Sequence, residues 1–373
     1  MKRITALLVL IFAILTFSAC HKTSRPTFGE KPVVDVSTES GIKVGAIFSG
    51  NEDIDNAYIQ SHIQGIEAMR LALGLSDDQV WREFSVRTDD EDQIRAAVER
   101  CVENGSKIIF GTEKEYGPIL AEFAQEYPDI FFSNALTSEN NGSNLSGYSV
   151  DVYEAQYLSG IVAAMKTETG AIGFLGYETP NTIIGINAFA MGVERVNPDY
   201  RVYLHKIKSN FDPQLERFGT GLLIDAGCDV IGQNTYSTAP LLEEQERGVW
   251  GCGYLTDMNY AARKSHLQSA MVNWGSYYTK AVKDTIEGTW NNENFHGELA
   301  SGHVALSPVN RNCIRGTTAA VNAAKAELTA GRALFMGELV DNEGNVVCPE
   351  GMYITDTELQ EGMDWYYRNI IIY

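Results

Sequence analysis

Aromatic and amide side chains recur in short polar loops along this sequence. Asn51 and Tyr58 fall in residues 50–58, Tyr116 in 112–117, Asn134 in 134–138, Gln233 and Asn234 in 233–238, and Asp257 in 255–258. Such a set suits a flat solute with a polar rim. An aromatic face orders the plane, and amides read donors and acceptors around it. A sugar is met by the same groups, so the residue types alone leave both open. The chemistry is capture rather than turnover. There is no GxxxxGK[ST], no HExxH and no GxSxG. Gly219-Thr-Gly221 lies inside a helical stretch and lacks a third glycine. His205, His266, His296 and His303 lack metal-ligand spacing. We therefore expect no catalysis, no cofactor and no metal.

The elements that must carry these loops alternate. Gly41 to Gly50 reads as a buried strand, followed by a helix over 56–73 in which Tyr58, His62, Gly65, Ile66, Met69 and Leu73 recur at three and four. A short strand at Phe84–Thr88, a helix at Ile94–Val102, a strand at Lys107–Thr112, a helix at Pro118–Glu126 and a strand at Asp129–Asn134 follow. The order then restarts: strand Ala171–Tyr177, helix Thr182–Val196, strand Arg201–Ile207, helix Leu215–Asp225, strand Asp229–Thr235. Two copies of one unit predict an α/β protein with two doubly wound, parallel-sheet lobes. Ligands of such sheets bind beyond the carboxyl ends of the strands, which is where the loops above lie. His62 reads as a helix-packing histidine bonded to a nearby loop, and Cys101 and Cys228 as buried thiols.

The N-terminus predicts export. Lys2 and Arg3 precede an apolar stretch, Ala6 to Phe17, too short to remain in a bilayer. Leu15-Thr16-Phe17-Ser18-Ala19-Cys20 resembles a bacterial lipobox. It implies a signal peptide over 1–19, acylation of Cys20 and a flexible tether over 20–40. The expected location is the extracytoplasmic face of the cell membrane, at the cell surface or in the periplasm. A formal charge of −20 without a basic cluster excludes nucleic acid as a partner. It also disfavours an anionic ligand.

Tyr58-Ile-Gln-Ser-His62-Ile-Gln-Gly65, Ile109-Phe-Gly-Thr112, Tyr157-Leu-Ser-Gly-Ile161, Phe211-Asp-Pro213, Gly253-Tyr-Leu-Thr-Asp-Met258, Asn273-Trp-Gly-Ser-Tyr-Tyr278 and Gly362-Met-Asp-Trp365 occur in this order. The series resembles the basic membrane protein family of solute-binding lipoproteins, which includes purine nucleoside receptors of ABC importers. The resemblance implies a type I periplasmic-binding fold with a three-segment hinge. Lobe 1 would comprise 41–135 and 255–303, and lobe 2 would comprise 136–254 and 304–373. It implies a monomer that captures a purine base or nucleoside and passes it to ABC permease and ATPase subunits. By position, Tyr58 is the stacking residue, Asp257 the acid of the second lobe, and Gln233 and Asn234 the polar strand end. Asn273-Trp274 stands where many nucleoside receptors have a lysine near the ribose, so Trp274 joins the candidates. Residues 51–56 also replace the usual Asp-Lys-Ser-Phe-Asn run. Both departures favour a free base such as adenine. A sensory module for a membrane receptor and an exported nucleoside hydrolase are the alternatives.

Overall fold

The structure, a computed structural model, describes residues 41–373. The expected signal peptide, Cys20 and the tether lie outside the described residues. The first lobe begins with β1 (Val44–Ile47), α1 (Ala57–Ala72), β2 (Val80–Glu83), α2 (Glu91–Glu103), β3 (Ile108–Gly111), α3 (Gly117–Glu126), β4 (Phe131–Ala135) and β5 (Leu145–Val150). These strands lie parallel in the order β2-β1-β3-β4-β5. β1 and β3 are buried along their whole length, as expected of strands covered on both faces.

The second lobe repeats the plan. It contains α4 (Val152–Lys166), β6 (Ala171–Tyr177), α5 (Pro180–Val196), β7 (Arg201–Ile207), α6 (Pro213–Asp225), β8 (Val230–Gln233), α7 (Ala239–Arg247), β9 (Trp250–Leu255) and β10 (His266–Val272). Its parallel strands run β7-β6-β8-β9-β10, the same order as the first lobe. The chain then returns. α8 (Trp274–Glu287) packs on α1, and β11 (Phe295–Gly297) pairs with β5. β12 (Val304–Leu306) pairs antiparallel with β10, and α9 (Thr317–Thr329) lies on α4. A terminal segment with β13 (Leu339–Val340), β14 (Val346–Cys348) and α10 (Asp356–Glu361) ends in β15 (Ile370–Ile372), which extends the second sheet beside β7.

Two expectations shift. The chain passes between lobes at 150–152, 272–274 and 297–304, so 145–150 joins the first sheet and 266–272 the second. The expected boundaries had placed both strands in the opposite lobe. A repeat of strand and helix does not say on which side a fifth strand adds. Likewise β2 is Val80–Glu83 rather than Phe84–Thr88: Ser85 sits at φ 60°, a left-handed conformation that ends the strand.

Helix ends follow the local chemistry. The Asn56 side chain accepts from the backbone N–H of Tyr58 and of Ile59 and so starts α1. Asp212 does the same for α6, with Pro213 at its first position. The five cysteines of the described part are free, with Cys101 and Cys228 buried.

Candidate functional site

In a doubly wound sheet the binding crevice opens where the strand order reverses. That point lies between β1 and β3 in the first lobe, and between β6 and β8 in the second. Ser49 and Glu113 follow β1 and β3, and Glu178 and Tyr236 follow β6 and β8.

Tyr58 stands at this crevice. Its hydroxyl donates to the Thr112 carbonyl at 2.5 Å, just beyond β3. Its ring lies 5.5 Å from that of Tyr236, centroid to centroid, at 18°. The two rings come from different lobes. Tyr254, on β9, continues the row at 6.3 Å and 18° from Tyr236. Polar contacts hold the lobes together around the rings. Ala57 N–H donates to the Tyr236 carbonyl at 2.7 Å. Asp55 Oδ2 accepts from Thr238 N–H at 3.2 Å and from its hydroxyl at 2.8 Å.

Behind Tyr58 is an aromatic stack that fixes its angle. His62 meets it edge-on at 4.7 Å, and Trp274 lies flat on His62 at 4.6 Å and 11°. His62 Nδ1 bonds the Tyr278 hydroxyl at 2.6 Å, and Tyr278 bonds Tyr148 at 2.8 Å. The partner is thus a helix residue rather than a loop. Burial holds the His62 imidazole neutral, with its pKa pulled down to about 3. The unfolded chain then binds a proton that the fold refuses, so stability is whole above pH 6.5 and falls as pH drops. At about pH 5 this one group costs about 2 kcal/mol. Urea midpoints of wild type and His62→Gln at about pH 7 and about pH 5 test this: the variant's deficit should shrink at the lower pH.

Glu113 brings a carboxyl to the same place. Its Oε1 accepts from the Ser49 hydroxyl at 2.5 Å, which ties the ends of β1 and β3 together. Burial pushes its pKa up to about 7 against the opposing pull of that hydrogen bond, and the Glu115 charge adds to the rise. The Glu113 charge bears on both Tyr58 and Tyr236, whose phenols are raised above their ordinary range, first by burial. Strain marks these strand ends too. Ser85, Leu136 and Leu255 are the non-glycine residues at positive φ among the described residues, and each lies at a strand's carboxyl end.

The expected residues divide. Asn134 is buried at the end of β4; its amide donates to the Lys114 carbonyl at 3.3 Å, and its Oδ1 has no partner among the described residues. Gln233 donates to the Thr235 and Ser237 carbonyls at 2.9 and 3.0 Å and likewise leaves Oε1 unpartnered. Asn234 clamps the end of β6, accepting from Tyr177 N–H at 2.7 Å and donating to its carbonyl at 3.0 Å. Asp257 caps the turn Met258–Tyr260 through Asn259 N–H at 3.1 Å. Asn51 is exposed.

Tyr116 is a correction. The short turn Lys114–Tyr116 swings its ring into the core formed with α2 and α3, where its hydroxyl donates to the Val86 carbonyl at 2.7 Å. Trp274 is another: it is buried behind His62 and donates to the Ser61 hydroxyl at 3.0 Å. Glu113, Tyr236 and Tyr254 were missed. The strand-end rule indicates the loops of the first two, and strand order singles them out, whereas Tyr254 lies on β9 itself. No group of three or more His, Cys, Asp or Glu is placed to hold a metal among the described residues. No helix there is long and apolar enough to cross a membrane.

Comparison with known proteins agrees with this geometry. A purine-binding protein of Brucella abortus is 32% identical over 271 residues, covering 72% of this chain and 76% of that protein. A Haloferax volcanii protein that carries the name of an ABC transporter glucose-binding protein is 32% identical over 205 residues, 55% of this chain and 52% of its own length. Among solved structures, an ABC transporter solute-binding protein from Conexibacter woesei superposes with a TM-score of 0.66 at 19% identity, over 78% of this chain and 97% of that one. It shows the same type I periplasmic-binding fold. The family model described as ABC transporter substrate-binding protein, PnrA-like, matches residues 42–325. With two like lobes, a crevice at their facing strand ends and this match, the chain belongs to the Bmp family of ABC transporter substrate-binding proteins.

Proposed function

We propose that the chain captures a purine base or purine nucleoside between its lobes, outside the cytoplasmic membrane, and delivers it to the permease and ATPase subunits of an importer. Lipid on Cys20 would keep it at the membrane. The observation that carries this reading is the pair of near-parallel rings, Tyr58 and Tyr236, offered by the two lobes at their switch points. Base–aromatic stacking tolerates any flat heterocycle and contributes about 1–3 kcal/mol per base. A plane held between two rings needs about 7 Å, or two contacts of about 3.5 Å. At 5.5 Å the rings must part to admit it. Hinging at the three interlobe passages does this, breaking the Asp55–Thr238 and Ala57–Tyr236 bonds and remaking cross-lobe contacts through the ligand. The unpartnered oxygen of Gln233, with Asp257 at the rim, is an acceptor for purine N–H or ribose hydroxyl groups, whereas the Asn134 oxygen is turned toward Gly111 and Leu120 in the core.

The charge argues against a nucleotide. Asp55, Glu113, Glu178 and Asp257 lie around the crevice, while Lys114 pairs with Glu115 and Lys206 with Glu178. The purine-binding name of the Brucella relative supports the same ligand class.

Mass spectrometry of small molecules released from the purified chain, followed by calorimetry with adenine, guanine, adenosine and inosine, tests the proposal. Recovery of a purine and saturable binding are expected. A sugar in its place, or a nucleoside cleaved to free base, would overturn it.

A further inference from the structure

We propose that Glu113 selects among purines, its carboxyl meeting the hydrogen-bonding edge of the base held at Tyr58. This rests on the purine reading above. Four features of the structure support the assignment.

Glu113 leaves the end of β3, one of the two strands that flank the first lobe's switch point, and Thr112 just before it receives the Tyr58 hydroxyl. A base stacked on Tyr58 therefore lies beside this carboxyl. The group is oriented: Ser49 holds Oε1 at 2.5 Å, and the side chain is only partly buried, so an edge remains for a ligand. Among the described residues it has no cationic partner within ion-pairing distance, and its neighbour Lys114 lies 3.9 Å from Glu115 instead. The titratable groups that face it are the phenols of Tyr58 from α1, Tyr236 from the second lobe and Tyr116, together with Lys114 and Glu115 of its own loop. Burial raises all three phenols, so they stay neutral across the range in which Glu113 titrates.

The consequence is chemical. A protonated carboxyl offers one donor and one acceptor. That pattern complements adenine, whose exocyclic amine donates beside a ring nitrogen that accepts. An ionised carboxylate offers two acceptors, which complement the ring N–H and exocyclic amine of guanine. With its midpoint near 7, Glu113 changes from the first pattern to the second across neutral pH. The Ser49 hydroxyl serves both states, because Oε1 accepts from it in each.

Calorimetry at about pH 5.5 and about pH 8.5, either side of that midpoint, with adenine and guanine on wild type and Glu113→Gln, decides the matter. In wild type the adenine-to-guanine affinity ratio should fall about tenfold or more from the lower to the higher pH, since one charge-assisted hydrogen bond changes hands. The side-chain amide of the variant keeps a donor and an acceptor but cannot titrate, so its ratio should be the same at both pH values. A constant ratio in wild type, or a swing that persists in the variant, overturns the role of Glu113 while purine capture stands. Binding of none of adenine, guanine, adenosine and inosine at either pH overturns the purine reading itself, and this assignment with it.

Discussion

Replacing Tyr58 by alanine weakens purine binding by about 1–3 kcal/mol, from roughly fivefold to more than a hundredfold in Kd. The loss follows from geometry. Asn56 fixes the start of α1, the Thr112 carbonyl holds the hydroxyl, and His62 supports the ring edge, so the face toward Tyr236 is set before any ligand arrives. Because the ring is also buried, the alanine variant loses about 3–5 kcal/mol of stability, and binding must be measured well below its unfolding temperature. Tyr58→Phe separates the two effects. It keeps the stacking face and gives up only the bond to Thr112, about 1 kcal/mol of stability. Its purine affinity should stay within a few-fold of wild type, while that of the alanine variant collapses. Calorimetry on all three proteins checks this. Equal affinity in wild type and Tyr58→Ala would remove the ring from the site.

The sequence carried the architecture better than the site. Strands such as Ile108–Gly111 and Val230–Gln233 are short apolar runs that start after a helix stop and end in polar residues, and this pattern repeats in both lobes. The crossing points were hidden for a physical reason. Leu145–Val150 reads Leu-Ser-Gly-Tyr-Ser-Val, a weak strand that gains its place from pairing with β4. Nothing local in it says which sheet it joins. Within the site, the strand-end rule found the loops but not the side chains. Tyr116 and Glu113 lie three positions apart, and the turn between them sends the tyrosine inward and leaves the acid at the crevice. Residue type favoured the aromatic. Strand order, which only long-range pairing fixes, favours the acid. The same holds for Tyr236, whose value lies in the ring it faces from the other lobe.

A single methyl group between two helices of the second lobe is expected to cost stability without touching the paired rings. α4 and α5 cross through two reciprocal glycines. A Cβ on Gly160 would stand 2.0 Å from the Phe189 carbonyl oxygen, and one on Gly192 would stand 2.0 Å from that of Tyr157. Backbone carbonyls cannot rotate away as a side chain can, so the helices must separate along a contact buried on both sides. Overpacking of this kind costs about 3 kcal/mol or more, and Gly160→Ala should lower the melting temperature by about 6–12 °C. Gly221→Ala is the control with the opposite sign. It lies in α6 with its nearest neighbour, Glu243 Oε1, at 3.8 Å, so alanine adds helix propensity without a clash and stabilises by about 0.4–1 kcal/mol. Thermal unfolding of the three proteins reads both effects. α4 begins at the first interlobe passage and α5 follows the loop after β6, so the glycine pair sets where the second lobe's switch point stands relative to the hinge. If Gly160→Ala melts with wild type, the helices do not cross as closely as their backbones indicate, and the rigid second lobe on which the Tyr58–Tyr236 clamp depends loses its basis.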